Sequence, residues 1–165
     1  MTKRRIILAG EFWFGSTGAG IAHGLRQQGH IVSEVDMRHH FPVSLSPLSK
    51  LVFKISRGQC IESYQQHVRD ITKQSGNEIL ITIKGSFLDP ELLTNLRKKG
   101  LFIVNFYPDV AFDHPGFGAE WLASYDLIAT TKAFHIDYLT AAHGADKVAF
   151  VPHGYSTLAH RPRAI

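Results

Sequence analysis

The chain has 165 residues, of which 44% are hydrophobic and 19% charged. That length predicts a single domain able to bury a core without disulfide or metal. Cys60 is the only cysteine, which excludes an intramolecular disulfide and suits a reducing cytoplasm, the expected location. The formal net charge of +4 is mildly basic and by itself selects neither phosphates, nucleic acid nor an anionic membrane. No apolar run is long enough to span a membrane, and the one after Lys3-Arg4-Arg5 breaks at Gly10, against a signal peptide.

The organising stretch comes first. Ile6-Ile7-Leu8-Ala9 reads as a buried parallel strand. A loop holding Gly10, Gly15, Gly18 and Gly20 follows, and then Ile21, Ala22 and Leu25 recur at helical spacing. Strand, glycine-rich loop and helix in that order place backbone N–H groups and a helix dipole where an anion, usually a phosphate, can approach. Gly15, Ser16, Thr17 and Gly18 are the candidate anion-binding residues, with Ser16 or Thr17 as the helix cap. The loop lacks the Gly-Lys-Ser/Thr of a Walker A motif, and its glycine spacing is not G-x-G-x-x-G. The competing reading is that the glycines serve only close strand–helix packing.

His30 to Val35 reads as a second strand ending at Asp36, where a dinucleotide fold would hold a ribose. A capping or loop role for Asp36 is the simpler expectation. Residues 37–60 are the least regular. Within them Leu48, Leu51, Val52 and Ile55 recur at helical spacing between Lys50, Lys54 and Arg57, a short basic amphipathic helix capped by Ser46. It reads as a packed surface helix, or as a flap or peripheral membrane contact over 47–57. A second helix is expected over 61–74, with Tyr64, Val68 and Ile71 on one side.

Ile79 to Ile83 is the third strand, leaving through Lys84-Gly85-Ser86. Asp89-Pro90-Glu91 opens a helix that ends at Gly100. Leu101 to Phe106 is the fourth strand, followed by a second unusual loop over 107–118 and a short helix through Trp121. Asp126 to Ala129 is the fifth strand, Ala133 to His143 a helix, and Val148 to Val151 the sixth strand. The fold class expected from this alternation is α/β: a doubly wound, mostly parallel Rossmann-like sheet of about six strands with helices on both faces.

In such sheets ligands bind at the carboxyl ends of the strands. The polar residues on those exits are therefore the candidates: Glu11, Ser16 and Thr17; Lys84 and Ser86; Asp109, Asp113 and His114; Thr131, Lys132 and His135; and His153. Asp109 and Asp113 are four apart with His114 adjacent, a grouping suited to deprotonating a hydroxyl. The alternative for each is turn chemistry around Pro108 and Pro115-Gly116. Lys132 and His135 flank a helix start and could pair with a phosphate or acceptor. No compact metal-ligand spacing occurs, so no metal is expected. Cys60 has no local basic neighbour tight enough to activate it and reads as inert.

Phe106-Tyr107-Pro108-Asp109, Tyr125 to Lys132, Val151-Pro152-His153-Gly154-Tyr155 and His160-Arg161-Pro162, in that order, resemble the amino-terminal half of glycosyltransferases of the GT-B fold, nearest to the CgeB-type (spore maturation) and group 1 transferases. The opening Gly-rich loop is similar to the first loop of that family. The resemblance implies residues 1–155 as an acceptor-side Rossmann-like domain and 156–165 as a connector toward a second domain. It implies Gly15 and Ser16 near the donor phosphate, Asp109 or His114 as the acceptor-side base, and His153 and Gly154 at the interdomain crossover. It also implies a nucleotide-sugar donor as substrate and no tightly bound cofactor. The expected partners are a small-molecule or glycan acceptor and a donor domain or partner subunit, with no nucleic acid. The family's paired donor-binding glutamates are not found in this sequence, so catalysis would need that second part. The other expectations are a stand-alone NAD-type binding domain with Asp36 on the ribose, and a non-catalytic interaction module.

Overall fold

The computed structural model describes residues 2–41, 47–74, 76–112, 116–156 and 159, with the backbone alone at 47–52. Six strands, β1 (Arg5–Gly10), β2 (Ile31–Asp36), β3 (Ile79–Ile83), β4 (Phe102–Tyr107), β5 (Leu127–Thr130) and β6 (Val148–Phe150), form one sheet in the order β2-β1-β3-β4-β5-β6. Every adjacent pair is parallel, so the sheet is parallel throughout. The order reverses direction after β1, which creates a topological switch point between β1 and β3.

Right-handed crossovers then dictate the layers. The β1-to-β2 connection runs opposite to all the others, so α1 (Thr17–Gln27) takes one face. The helices α2 (Pro47–Thr72), α3 (Pro90–Lys98) and α4 (His135–His143) take the other. The strand residues on that second face, Ile7, Leu80, Ile103, Tyr107 and Ile128, join Tyr64 and Val68 of α2, Leu93 and Leu96 of α3 and Leu139 of α4 in one core. Each fully buried aliphatic side chain there contributes roughly 1.5–3 kcal/mol. On the α1 face the cover is narrower. Ile6 and Leu8 are sealed, but Ile81, Val104 and Leu127 are half-buried, and Phe102 at the start of β4 is exposed.

Local signals set the helix starts. Ser16 is the N-cap of α1: its Oγ accepts from the Ala19 amide at 3.1 Å and donates to the Glu11 carbonyl at 2.9 Å. Asp89 caps α3 with Pro90 in the first turn, accepting from the Leu92 amide at 2.8 Å. Asp36 caps the 3-10 turn Met37–His39 through the Arg38 amide.

The two helices expected across 47–74 are one helix of 26 residues, α2. Its apolar pattern changes phase part-way. Ile55 and the buried Tyr64 are nine residues apart, which at 100° per residue puts them on opposite sides, about 180° around the axis. The side that carries Tyr64 continues through Cys60 to Phe53, and Phe41 meets the rings of both Phe53 and Tyr64, so the helix keeps one side to the protein while the apolar pattern of the sequence drifts off it. The expected Ser46 cap lies outside the described residues. The short helix through Trp121 is a 3-10 helix, Ala119–Ser124.

Candidate functional site

The strand exits gather at the carboxyl edge of the sheet, and a cavity of about 330 Å³ lies at the switch point. Glu11, Trp13, Ser16, Thr17 and Gly18 reach it from the β1–α1 loop, Lys84 and Ser86 from the end of β3, and Asp109 from the end of β4. Met37 and the buried Tyr64 supply its apolar wall. A second cavity of about 290 Å³ lies on the other side of Ser16 and Thr17. Gly15, Phe106, His153, Gly154 and Tyr155 line it. The first turn of α1 thus stands between the two.

The glycines of the loop divide their work. Gly18 is buried, and a Cβ there would meet the Glu11 carbonyl at 2.4 Å, so close helix–loop packing requires it. Gly15 has φ +85° and shapes the loop itself.

Lys84 Nζ donates to Asp109 Oδ2 at 2.7 Å across the first cavity. Both side chains are nearly half exposed, so the pair is worth little as stabilisation and matters for where it sets the two groups. Lys84 is held unusually: its φ is +66°, and with Gly85 at +78° and Phe87 at +61° the turn has three left-handed residues. Non-glycine residues in that region cost about 1–3 kcal/mol each unless the surroundings impose them. Here they do. The Lys84 amide donates to the Phe106 carbonyl at 2.9 Å, and Asn105 Nδ2 donates to the Lys84 carbonyl at 3.3 Å. Beneath the turn Tyr125 is fully buried and joined to Thr82 at 3.3 Å, and burial pushes its phenol up to about 12. Asn105 Oδ1 is buried without a hydrogen-bond partner among the described residues.

His135, expected as a cleft cation, is buried instead. Its Nε2 lies 2.9 Å from the Val110 carbonyl and its Nδ1 2.8 Å from Thr130 Oγ1. A carbonyl only accepts, so Nε2 carries the proton and Nδ1 accepts from Thr130, whose oxygen in turn accepts from the Lys132 amide at 3.1 Å. The imidazole pins the loop after β4 to the start of α4, with both ring nitrogens committed. Lys132 does reach the second cavity's rim, with Nζ 3.4 Å from His153 Nε2.

Asp36 is also committed. Arg38 donates to both of its oxygens, with Nη2 at 2.6 Å from Oδ2. Burial pushes the carboxyl up, and the Arg38 hydrogen bonds outweigh this and leave it below the usual range. Asp113 and His114 lie outside the described residues. Among the described residues no three His, Cys, Asp or Glu side chains converge as metal ligands, and no helix is long and apolar enough to cross a membrane.

No protein-family model and no curated protein sequence matches this chain. The α/β Rossmann-like fold therefore rests on the sheet itself, and the chemistry on the side chains at its carboxyl edge. Trp13, Met37 and Tyr64 were missed as lining residues. A tryptophan inside a glycine-rich loop is a usable signal; nothing near Tyr64 in sequence marks it.

Proposed function

We propose that this chain is the acceptor-binding half of a GT-B-type glycosyltransferase. It would hold the hydroxyl that receives a sugar from a nucleotide-sugar donor and be inactive without a donor-binding domain. The observation that carries this reading is the switch-point cavity. Hydroxyl, carboxylate and ammonium groups from three strand exits meet there beside the half-exposed Trp13, in a volume suited to one or two sugar rings. Asp109 is the candidate base: its carboxylate takes the acceptor's proton, the oxygen forms the new bond to the anomeric carbon, and the nucleoside diphosphate leaves with the electron pair. The second cavity, beside Gly15, Ser16 and the first turn of α1, is where the donor phosphate would come. Seven exposed large apolar side chains, Trp13, Phe14, Val110, Phe134, Phe150, Val151 and Tyr155, follow the strand ends, which supports another protein surface facing this edge.

Saturation-transfer and ¹⁵N NMR with a panel of hexoses and disaccharides, UDP-glucose and NAD tests this. Sugars are expected to shift the Trp13 indole and Lys84 resonances, with at least tenfold weaker binding in Asp109→Asn. Micromolar NAD binding that Asp36→Ala removes would overturn the reading in favour of a dinucleotide domain. The saturation of Asp36 by Arg38 argues against that outcome. A stable complex with a partner protein, indifferent to sugars and nucleotides, would favour an interaction module.

We also propose a peripheral contact with anionic lipid at the amino-terminal half of α2, where Ile55 is 81% exposed next to the exposed Lys54. Phosphatidylcholine vesicles containing phosphatidylglycerol should sediment the chain, plain phosphatidylcholine should not, and Ile55→Glu should abolish the difference. Equal sedimentation with both vesicle types would refute it.

A further inference from the structure

His40 and His67 lie outside the chemistry proposed above, and they are joined. His40 Nε2 is 3.0 Å from His67 Nδ1, and His40 Nδ1 is 2.8 Å from Ser63 Oγ. His40 follows the 3-10 turn Met37–His39, while His67 and Ser63 belong to α2. The two rings are tilted at 54° to one another with centroids 5.2 Å apart, and His40 lies 5.7 Å from the Tyr64 ring. This contact therefore ties the turn that carries Met37 to the helix that carries Tyr64, and those two residues form the apolar wall of the switch-point cavity.

We infer that the His40–His67 contact is a pH-sensitive latch on that wall, closed when the pair holds at most one extra proton and released when both rings are protonated. The reason is stoichiometric. Two ring nitrogens facing each other at 3.0 Å share one hydrogen. With both rings charged, each nitrogen carries its own hydrogen, and two cations confront each other.

The surroundings favour release. Burial, then the His67 and His39 charges, hold the His40 ring below its ordinary 6.5, and Asp36 opposes them only in part. Asp36 is itself held by Arg38, which Glu11 also faces electrostatically. On α2, Asp70 lies one turn from His67 and is bound to Lys73 and Gln66. The sign follows from these directions. The folded state favours neutral His40, so the latch contributes fully above pH 6.5 and is lost as pH falls below it. The latch goes beyond the transferase reading and holds whatever the cavity binds.

Met1 and Met37 are the only methionines, so a chain carrying ¹³C-methyl methionine has one internal probe, on the cavity wall. As pH is lowered from about 8 to about 5, the Met37 methyl resonance should hold while the pair takes up its first proton and move as it takes up the second, both followed by the ring signals. His67→Gln keeps a hydrogen-bonding side chain that does not titrate, and the Met37 transition should disappear. His40→Gln should do the same and serves if the first variant does not fold. His143, also held below its ordinary value by burial and then by Lys147, lies on α4, and His143→Asn should leave the transition in place. A Met37 resonance that stays fixed while both rings titrate, or that moves alike in wild type and His67→Gln, overturns the latch.

Discussion

Gly85→Ala should destabilise the fold by about 3 kcal/mol or more, with a fall in Tm of roughly 6–12 °C for a chain of this size. Two effects add. Gly85 has φ +78°, where an alanine is strained by about 1 kcal/mol. Its new Cβ would also lie 2.3 Å from the Tyr125 hydroxyl, 2.8 Å from Asn105 Nδ2 and 2.9 Å from the Phe117 ring. None of the three can retreat, because Tyr125 and Asn105 are fully buried and Phe117 belongs to the core. The turn must lift, and with it go the strained Lys84 and its contact with Asp109. Sugar binding at the switch-point cavity should therefore fall further than stability alone accounts for at a temperature where the variant is folded. Gly24→Ala is the control. Gly24 lies inside α1 with none of the described residues within 4 Å of a new Cβ, so the same change there should stabilise by about 0.5–1 kcal/mol. Thermal and urea unfolding of the pair decides the matter. Equal midpoints for the two variants would mean that the turn is not the rigid support described above.

His135→Ala should cost about 2–4 kcal/mol, read from the urea midpoint. The substitution removes the buried ring that partners both the Thr130 hydroxyl and the Val110 carbonyl, leaving these two to find others. It also opens a gap beside Phe112 and Phe134, whose ring centroids lie 4.6 and 4.7 Å from the imidazole. Amide exchange at 110–112 should rise with it, since the loop after β4 loses its anchor. A surface cation facing an anionic ligand would behave oppositely, with stability within about 0.5 kcal/mol of wild type and the loss confined to binding. The expected result places His135 among the residues that position Asp109.

The elements that were legible in the sequence are those whose signals are local. The apolar run Ile6–Ala9 and the caps Ser16 and Asp89 each depend on neighbours within a few residues, and each stands where its chemistry puts it. α2 was less legible because Ile55, which ends the apolar pattern of its amino-terminal half, falls on the opposite side from Tyr64, while the side facing the protein runs on from Phe53 through Cys60 to Tyr64 and Val68. Ile55 is exposed while Tyr64 and Val68 are sealed against the sheet, so a single helix reads as two. Among the candidates that strand-exit position picked out, Glu11, Ser16, Lys84, Ser86 and Asp109 line one cavity. It misled for His135, since position after a strand does not tell which way a ring points.

The sequence by itself determined the parallel α/β alternation and which loops would meet at the carboxyl edge, because strand period, glycine punctuation and crossover handedness leave few arrangements open. Only the tertiary structure decided the rest. The left-handed Lys84 turn answers to Tyr125, 41 residues on, the Val110 carbonyl to His135, and the cavity wall to a histidine pair 27 residues apart. These are contacts between side chains distant in sequence, where close packing rather than local preference sets the geometry.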